Sequence, residues 1–370
     1  MTGSRKVLEV LGRSAGGIAG HVAAVAAGLQ GRSGLEIAIA GPPEVASRMP
    51  REILPLTIPD GVWGHRKASG QLQELMTDGG YDVVHAHGLR AALDSARAAR
   101  GTPASALATI HNLVLPEISG PLRARAYRRA EPVAVRWNER VFAPSRDIAQ
   151  HLRAVALSDA SKVEVLHLGV SPPPRPPRER AQVRAELGVD PGQHLLVTVA
   201  RLAPQKALDV LLTAFARLPA TVHLAIIGGG PLHEQLKTLA AEMGVAPRVG
   251  FLGYRSEPAD YVAAADVFCL TSVWEACSLA AQEAITLGVP VVTTAVGGMP
   301  ELIEDRVSGR LVASGDPEGF AAAVTELLAT PDDARRMAAN AKVHLAENFS
   351  SDRMLERLER AYLGLEVETA

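Results

Sequence analysis

The chain is built from short apolar runs, each followed by a polar or glycine-rich break and then by a segment whose apolar positions recur with helical spacing. Residues 7–11, 35–40, 81–88, 105–110, 141–145 and 163–168 are such runs, with helical patterns at 21–29, 71–76 and 145–152. The alternation restarts at 195–200 and continues through 222–227, 249–252, 267–270, 289–293 and 309–312. Helical stretches at 207–218, 232–243, 279–287, 320–328 and 331–349 accompany this second series. Apolar runs of this length suit strands buried on both faces, and strands separated by helices pair in parallel. The pattern predicts an α/β chain with two doubly wound, Rossmann-like sheets, one in each half. Between the halves, Ser171-Pro172-Pro173-Pro174-Arg175-Pro176-Pro177-Arg178 favours an extended connection over helix or sheet. This gives an N-terminal domain at 1–170, a linker at 171–180 and a second domain at 181–351. The final stretch, 352–370, is amphipathic through Met354, Leu355, Leu358, Tyr362 and Leu365, and needs another surface to cover it.

The densest chemistry falls within 274–292. Glu275 lies in a loop and Glu283 about one turn into a short helix, with Ser278 as N-cap and Gly288 as stop. A helix N-terminus offers free backbone N–H groups and partial positive charge, which suits an anion. Carboxylates accept from hydroxyls and repel phosphate. The combination points to an anion flanked by hydroxyl-bearing groups, as in a sugar nucleotide.

The first half offers weaker signals. The glycines after the first run, including Gly16 and Gly17, match neither the dinucleotide fingerprint nor the P-loop pattern, and serve either a tight turn or close approach of a phosphate. A nicotinamide-dependent oxidoreductase is disfavoured on that ground. His85 and His87, two apart at a strand end, share a face. No cysteine or acidic cluster accompanies them in the sequence, so a sheet-end polar role is preferred to metal binding, and no metal site is expected. His111 ends the next strand and either positions a substrate hydroxyl or is structural. Arg123, Arg125, Arg128, Arg129, Arg136 and Arg140 are interleaved with Tyr127 and Trp137. Such a stretch reads as a solvated helix face, with contact to an anionic acceptor or membrane surface left open.

Composition narrows these readings. In 370 residues, 47% of them hydrophobic, 38 Lys and Arg against 40 Asp and Glu argue against a general polyanion binder, so no nucleic-acid partner is expected. The two cysteines, Cys269 and Cys277, lack disulfide or metal spacing. The N-terminal apolar run is interrupted by Glu9 before it could act as a signal segment, and no apolar run approaches membrane-spanning length. A cytoplasmic protein is expected, with peripheral association at the inner membrane face as an open alternative.

The second half resembles glycosyltransferase family 4, retaining enzymes of the GT-B fold. The resemblance rests on residues 199–206, 226–231, 251–254 and 265–268, the Glu275/Glu283 pair, 295–302 and 309–312. Gly16-Gly17, residues 82–87 and 109–111 extend it more loosely into the first half. It implies two Rossmann-like domains facing across a cleft, with the final helix packing back on the first. It also implies a hexosyltransferase moving a sugar from a UDP- or GDP-linked donor, a co-substrate rather than a cofactor, to an unidentified small-molecule, glycan or lipid acceptor. By that resemblance Arg201 and Lys206 bind the donor diphosphate, Glu275 the transferred sugar and Glu283 the ribose. Leu279 and Ala280 meet the phosphate through their amides, Tyr254 approaches the base, and Gly16, Gly17 and Gly229 permit close approach. His111 lies near the reacting centre. Metal independence agrees with the lack of an Asp-x-Asp motif. Ala207, Gly229, Thr271, Ala276, Ser278 and Ser351 depart from residues frequent in the family. A sugar-nucleotide epimerase of the same fold and a non-catalytic nucleotide-sugar-binding protein are the alternatives.

Overall fold

The computed structural model describes residues 4–13, 16–61, 63–113, 120–173 and 175–365. The chain divides into two compact units, Met1–Leu168 with Ser351–Ala370, and Gly169–Ser350.

The first unit holds a seven-stranded parallel sheet in the order β3-β2-β1-β4-β5-β6-β7. Its strands are β1 (Arg5–Leu11), β2 (Leu35–Gly41), β3 (Leu54–Pro55), β4 (Val83–His87), β5 (Ser105–Thr109), β6 (Arg140–Ala143) and β7 (Val163–Val165). The helices α1 (Gly17–Leu29), α2 (His65–Gly79), α3 (Leu89–Ala99), α4 (Pro121–Trp137) and α5 (Arg146–Ala156) alternate with them. Most of the basic stretch lies on α4, but Arg140 opens β6. Val7, Leu8, Val10 and Leu11 of β1 are fully buried, as expected of a central strand covered on both faces. The parallel register sets Glu9 beside His85 and Leu11 beside His87, and then His87 beside Thr109.

The last helix, Ser351–Tyr362, belongs to this unit and buries Met354, Leu355, Leu358 and Tyr362. Gly28 on α1 makes room for it, since a Cβ there would stand 2.5 Å from the Leu355 Cδ1 atom. Arg5 Nη1 donates to the Leu363 carbonyl at 2.8 Å and Arg140 Nη2 to the Leu365 carbonyl at 3.0 Å. These guanidinium groups tie down the residues just past the helix C-terminus and place positive charge near its negative dipole end.

The second unit holds a six-stranded parallel sheet in the order β10-β9-β8-β11-β12-β13. These are β8 (His194–Val199), β9 (Val222–Ile227), β10 (Val249–Gly253), β11 (Val267–Leu270), β12 (Val291–Thr294) and β13 (Arg310–Val312). Helices α6 (Arg180–Glu186), α7 (Leu208–Phe215), α8 (His233–Glu242), α9 (Ala259–Ala263), α10 (Leu279–Thr286), α11 (Met299–Leu302), α12 (Pro317–Ala329) and α13 (Pro331–Asn348) accompany them. Successive residues feed opposite cores: Leu196 packs with Phe215 and Phe320, whereas Val197 packs with Phe268 and Ile285. The proline-rich segment is tied to this unit by a buried carboxylate. Arg175 Nη2 donates to Asp260 Oδ2 at 2.9 Å, and Arg178 gives Asp260 a backbone and a guanidinium contact at 3.0 Å each.

Each sheet changes direction of growth once, between β1 and β4 and between β8 and β11. Loops leaving the carboxyl ends of strands diverge at such a point and leave a crevice, which is where open α/β sheets bind ligands.

Candidate functional site

In the second unit the chain leaves β8 into Arg201–Lys206 and leaves β11 into Thr271–Ser278, so the two loops meet at the switch point. Lys206 Nζ donates to Glu275 Oε1, and Ser272 Oγ donates to the same oxygen at 2.5 Å. Backbone contacts lock the loops together: Val273 N donates to the Gln205 carbonyl at 2.9 Å, and Gln205 Nε2 to the Trp274 carbonyl at 3.0 Å. Glu275 is buried, so its charge depends on these donors. Arg201 is exposed and makes no side-chain hydrogen bond or ion pair among the described residues. Its charge is therefore available to a ligand.

Two glycine contacts shape this end of the sheet. Gly297, at φ +53°, lies against the Glu275 loop so closely that a Cβ would stand 1.9 Å from the Glu275 carbonyl oxygen. Gly298 N donates to that carbonyl at 2.9 Å. At Gly230 a Cβ would meet the Leu202 carbonyl oxygen at 2.3 Å. The loop after β9 thus packs directly on the Arg201 loop, whereas Gly229 has open space where a side chain would stand.

Helix α10 starts where its sequence suggests. Ser278 Oγ accepts from Ala281 N at 3.3 Å, and the Leu279 and Ala280 amides have no acceptor among the described residues. Its far end is closed by Gly288 at φ +74°, with Gly288 N donating to the Ile285 carbonyl and Val289 N to the Ala284 carbonyl, both at 2.9 Å. That reciprocal pair is the Schellman arrangement. Glu283 is partly buried, which pushes its carboxyl up from the usual range. It lines a recess of about 210 Å³ with Pro172, Pro173, Arg175, Glu257 and Asp260, and is not hydrogen-bonded to the Lys206–Glu275 group. Tyr254 is 63% exposed just beyond β10. Cys277 is half-buried, with its sulfur accepting from Gln282 Nε2 at 2.8 Å.

In the first unit the switch point carries a buried polar cluster. Glu9 Oε2 accepts from His87 Nε2 at 2.7 Å and Glu9 Oε1 accepts from the Tyr362 hydroxyl at 2.5 Å. His85 Nδ1 meets the same hydroxyl at 2.5 Å and His85 Nε2 meets Thr109 Oγ1 at 2.8 Å. His87 Nδ1 is 3.0 Å from His111 Nε2, and the His21 ring stands edge-on to both at 5.4 Å. Burial alone would raise the Glu9 carboxyl, but the electrostatic pull of His85 and the hydrogen bonds from His85 and His87 hold it well below the usual range. Burial and the neighbouring imidazoles keep His21 and His111 neutral, and burial lowers His87 as well.

The fold therefore gives His85 and His87 companions that their local sequence lacks. Glu9, His21 and Tyr362 come from the first strand, the first helix and the last helix, and sequence reading missed all three as site residues. Glu9 carried a signal, since a carboxylate inside a buried strand requires partners. Gly16 caps α1 and Gly17 begins it, while the neighbouring residues 14 and 15 lie outside the described residues.

Comparison with known proteins places the chain in a family. Residues 15–172 match the model for Glycosyltransferase Family 4, and residues 179–344 that for Glycosyl transferases group 1. The chain is 31% identical to the D-inositol 3-phosphate glycosyltransferase of Mycobacterium avium (strain 104) over 313 residues, covering 82% of this chain and 69% of the relative. The chain belongs to glycosyltransferase family 4. Another relative, the D-inositol 3-phosphate glycosyltransferase of Mycolicibacterium gilvum (strain PYR-GCK), is 35% identical over 282 residues, 73% of this chain and 59% of its own length. This family 4 chain thus spans less than two thirds of that relative.

Solved structures share the GT-B fold. Anabaena Alr3699/HepE in complex with UDP-glucose aligns with a TM-score of 0.81 at 21% identity, over 97% of this chain and 100% of that one. Sucrose-phosphate synthase from Thermosynechococcus elongatus aligns with a TM-score of 0.84 at 20% identity, over 97% and 99%. Among the described residues of the family 4 chain, no helix is long and apolar enough to cross a membrane.

Proposed function

We propose that this chain is a retaining glycosyltransferase that moves a sugar from a nucleoside-diphosphate sugar to an acceptor hydroxyl without a metal ion. The observation that carries the reading is the Lys206–Glu275 pair at the switch point of the second sheet, beside the exposed Arg201. Two cations in one loop suit a diphosphate leaving group, whose negative charge grows as the bond to the sugar breaks. The free Leu279 and Ala280 amides supply further donors for it. Glu275, held at one oxygen by Lys206 and Ser272, accepts from hydroxyls of the transferred sugar. Glu283 takes the ribose hydroxyls, the backbone near Tyr254 takes the base, and Gly16, Gly17 and Gly229 leave room for the donor.

In the proposed reaction the bond from the anomeric carbon to phosphate oxygen breaks, and the bond to the acceptor oxygen forms on the same face. The acceptor proton passes to the leaving phosphate oxygen, so the protein's contribution is positioning and charge stabilisation. His111 contributes a hydrogen bond to a reacting hydroxyl. The solved complex of HepE with UDP-glucose favours UDP over GDP, and the names of the curated relatives favour a phosphorylated polyol as acceptor. Exposed Arg123, Arg125, Arg128 and Arg129 with Leu122 on α4 fit peripheral contact with an anionic membrane surface.

Nucleotide release over a panel of UDP- and GDP-sugars, with and without D-inositol 3-phosphate, followed by anomeric analysis of the product, tests this reading. Acceptor-dependent release with retained configuration is expected, and Lys206→Ala and Glu283→Ala should weaken donor binding sharply. Unchanged donor binding in both variants would overturn the site assignment. Cosedimentation with anionic vesicles at low salt tests the α4 contact, and no binding would remove it.

A further inference from the structure

We propose that Glu9 and His87 are positioning residues that set the tautomer of His111, leaving its Nδ1 as a fixed hydrogen-bond acceptor. The proposal rests on the reading of His111 as a group that meets a reacting hydroxyl.

Proton positions propagate along the contacts from Glu9. An ionised carboxylate can only accept, so the 2.7 Å contact between Glu9 Oε2 and His87 Nε2 requires a proton on that nitrogen. A neutral His87 then has a bare Nδ1, which accepts across the 3.0 Å contact to His111 Nε2. His111 Nε2 must carry the proton. With His111 neutral, its Nδ1 is left as an acceptor, and that atom has no partner among the described residues.

The rest of the cluster holds this polarity. Glu9, His21, His87 and His111 are all buried, at 0%, 3%, 4% and 5% exposure, so no bulk water competes for these protons. The Tyr362 hydroxyl donates to the other Glu9 oxygen, which keeps the carboxylate supplied without touching His87. His21 lies edge-on to the other two imidazoles, and its Nε2 has no partner among the described residues. A proton added to any of the three rings would face the other two. Neutral His111 is also what the burial and neighbouring rings favour.

Glu9→Gln tests the direction of the chain because an amide can donate as well as accept. Its Nε2 can offer a proton to His87 Nε2, which moves the His87 proton to Nδ1 and, through the next contact, the His111 proton to Nδ1. The acceptor at His111 is then lost with no change of shape. The experiment is long-range nitrogen–proton correlation NMR on full-length protein labelled at the histidine ring nitrogens. His111 signals are assigned by their loss in His111→Ala, and the same samples are assayed for transfer.

The expected wild-type spectrum shows His111 protonated at Nε2 and bare at Nδ1, and Glu9→Gln should show the reverse. Tyr362→Phe should keep the wild-type tautomer, since it leaves the Glu9–His87 contact in place. Turnover at saturating donor should fall on the order of 10² in Glu9→Gln, with donor KM unchanged. A wild-type His111 protonated at Nδ1 would overturn the proposal even if Glu9→Gln failed to fold. So would wild-type turnover in a folded Glu9→Gln whose His111 is protonated at Nδ1. Stoichiometric Zn²⁺ binding by the purified protein that disappears in His21→Gln would also overturn it, because His87 and His111 would then be directed at a cation. If the tautomers behave as expected but His111→Ala transfers sugar normally, the hydrogen-bond chain stands and the role of His111 in the reaction fails.

Discussion

The two switch points solve the same electrostatic problem in opposite ways. In each, a carboxylate is buried at the carboxyl end of a parallel sheet, Glu9 in the first unit and Glu275 in the second. Glu9 is fully buried and is met by a tyrosine hydroxyl and two neighbouring imidazoles. Glu275 is met by a lysine and a serine that converge on one oxygen, next to an arginine left in solvent. The first arrangement supplies its carboxylate with donors from within the unit and sets proton positions. The second pairs its lysine with the carboxylate and leaves one cation, Arg201, exposed and without a side-chain partner among the described residues. Dissecting them by mutation should therefore give different signatures.

Glu9→Ala should show the largest effect on stability. It removes the carboxylate that the first cluster is built around and strands buried donors, for which about 3–5 kcal/mol is typical of breaking a buried pair. Urea unfolding followed through the first unit checks this, and a loss below about 1 kcal/mol would make the cluster dispensable to the fold.

Arg201→Ala should do the reverse. We expect transfer to fall by about 10²–10³, equivalent to about 2.7–4 kcal/mol of transition-state stabilisation, while stability changes by less than about 0.5 kcal/mol. Steady-state kinetics beside urea midpoints separates the two. A stability loss without a kinetic one would place Arg201 in the fold rather than the site.

Acidification sharpens the contrast from another side. His21, His87 and His111 have pKa values lowered below 6.5 in the fold, so below that pH the unfolded chain binds protons that the folded chain does not. Stability is then lost as pH falls through and below about 6.5, by at most about 1.4 kcal/mol per pH unit for each ring. His151 opposes this: its hydrogen bond with Glu131 raises its pKa, so it adds stability below the unfolded value that fades as pH rises. Burial lowers His223 as well, so four rings against one predict a net loss, which urea midpoints from pH 7 to pH 5 measure. In His21→Gln the slope should flatten.

The smallest effect concerns a departure from the family pattern. Ala207, where family members often have glycine, adopts φ +42° and ψ +47°, a left-handed conformation that costs an alanine about 1–2 kcal/mol. Ala207→Gly should raise the urea midpoint by the equivalent of about 1 kcal/mol, less if glycine's greater unfolded-state freedom offsets the relief. A lowered midpoint would mean that the methyl group's packing outweighs the strain.

Much of the local structure at the second switch point was legible in the sequence because it depends on residues close together in the chain. The α10 boundaries follow from Ser278 and Gly288, whose roles depend on backbone geometry within a few residues. The apolar runs mark all but the two-residue β3 as strands, because parallel strands are buried on both faces. The α7 helix came out shorter than its apolar pattern, Leu208–Phe215 against 207–218, since Ala207 is left-handed and 216 onward turns toward β9. The proline-rich stretch reads locally as extended, but its attachment to Asp260 depends on a helix about 80 residues away and leaves no local trace.

The histidine cluster marks the limit. His85 and His87 alone offer too few groups for any defined chemistry, and the sequence by itself determined only that they share one face of a strand end. Tertiary structure decided that Glu9, His21, His111 and Tyr362 join them, because a parallel register sets β1 against β4 and the last helix returns to the same unit. Periodicity reports which side of an element is buried. It does not report which distant side chain will be buried against it, and hydrogen-bond polarity, and with it the tautomer of His111, depends on that partner.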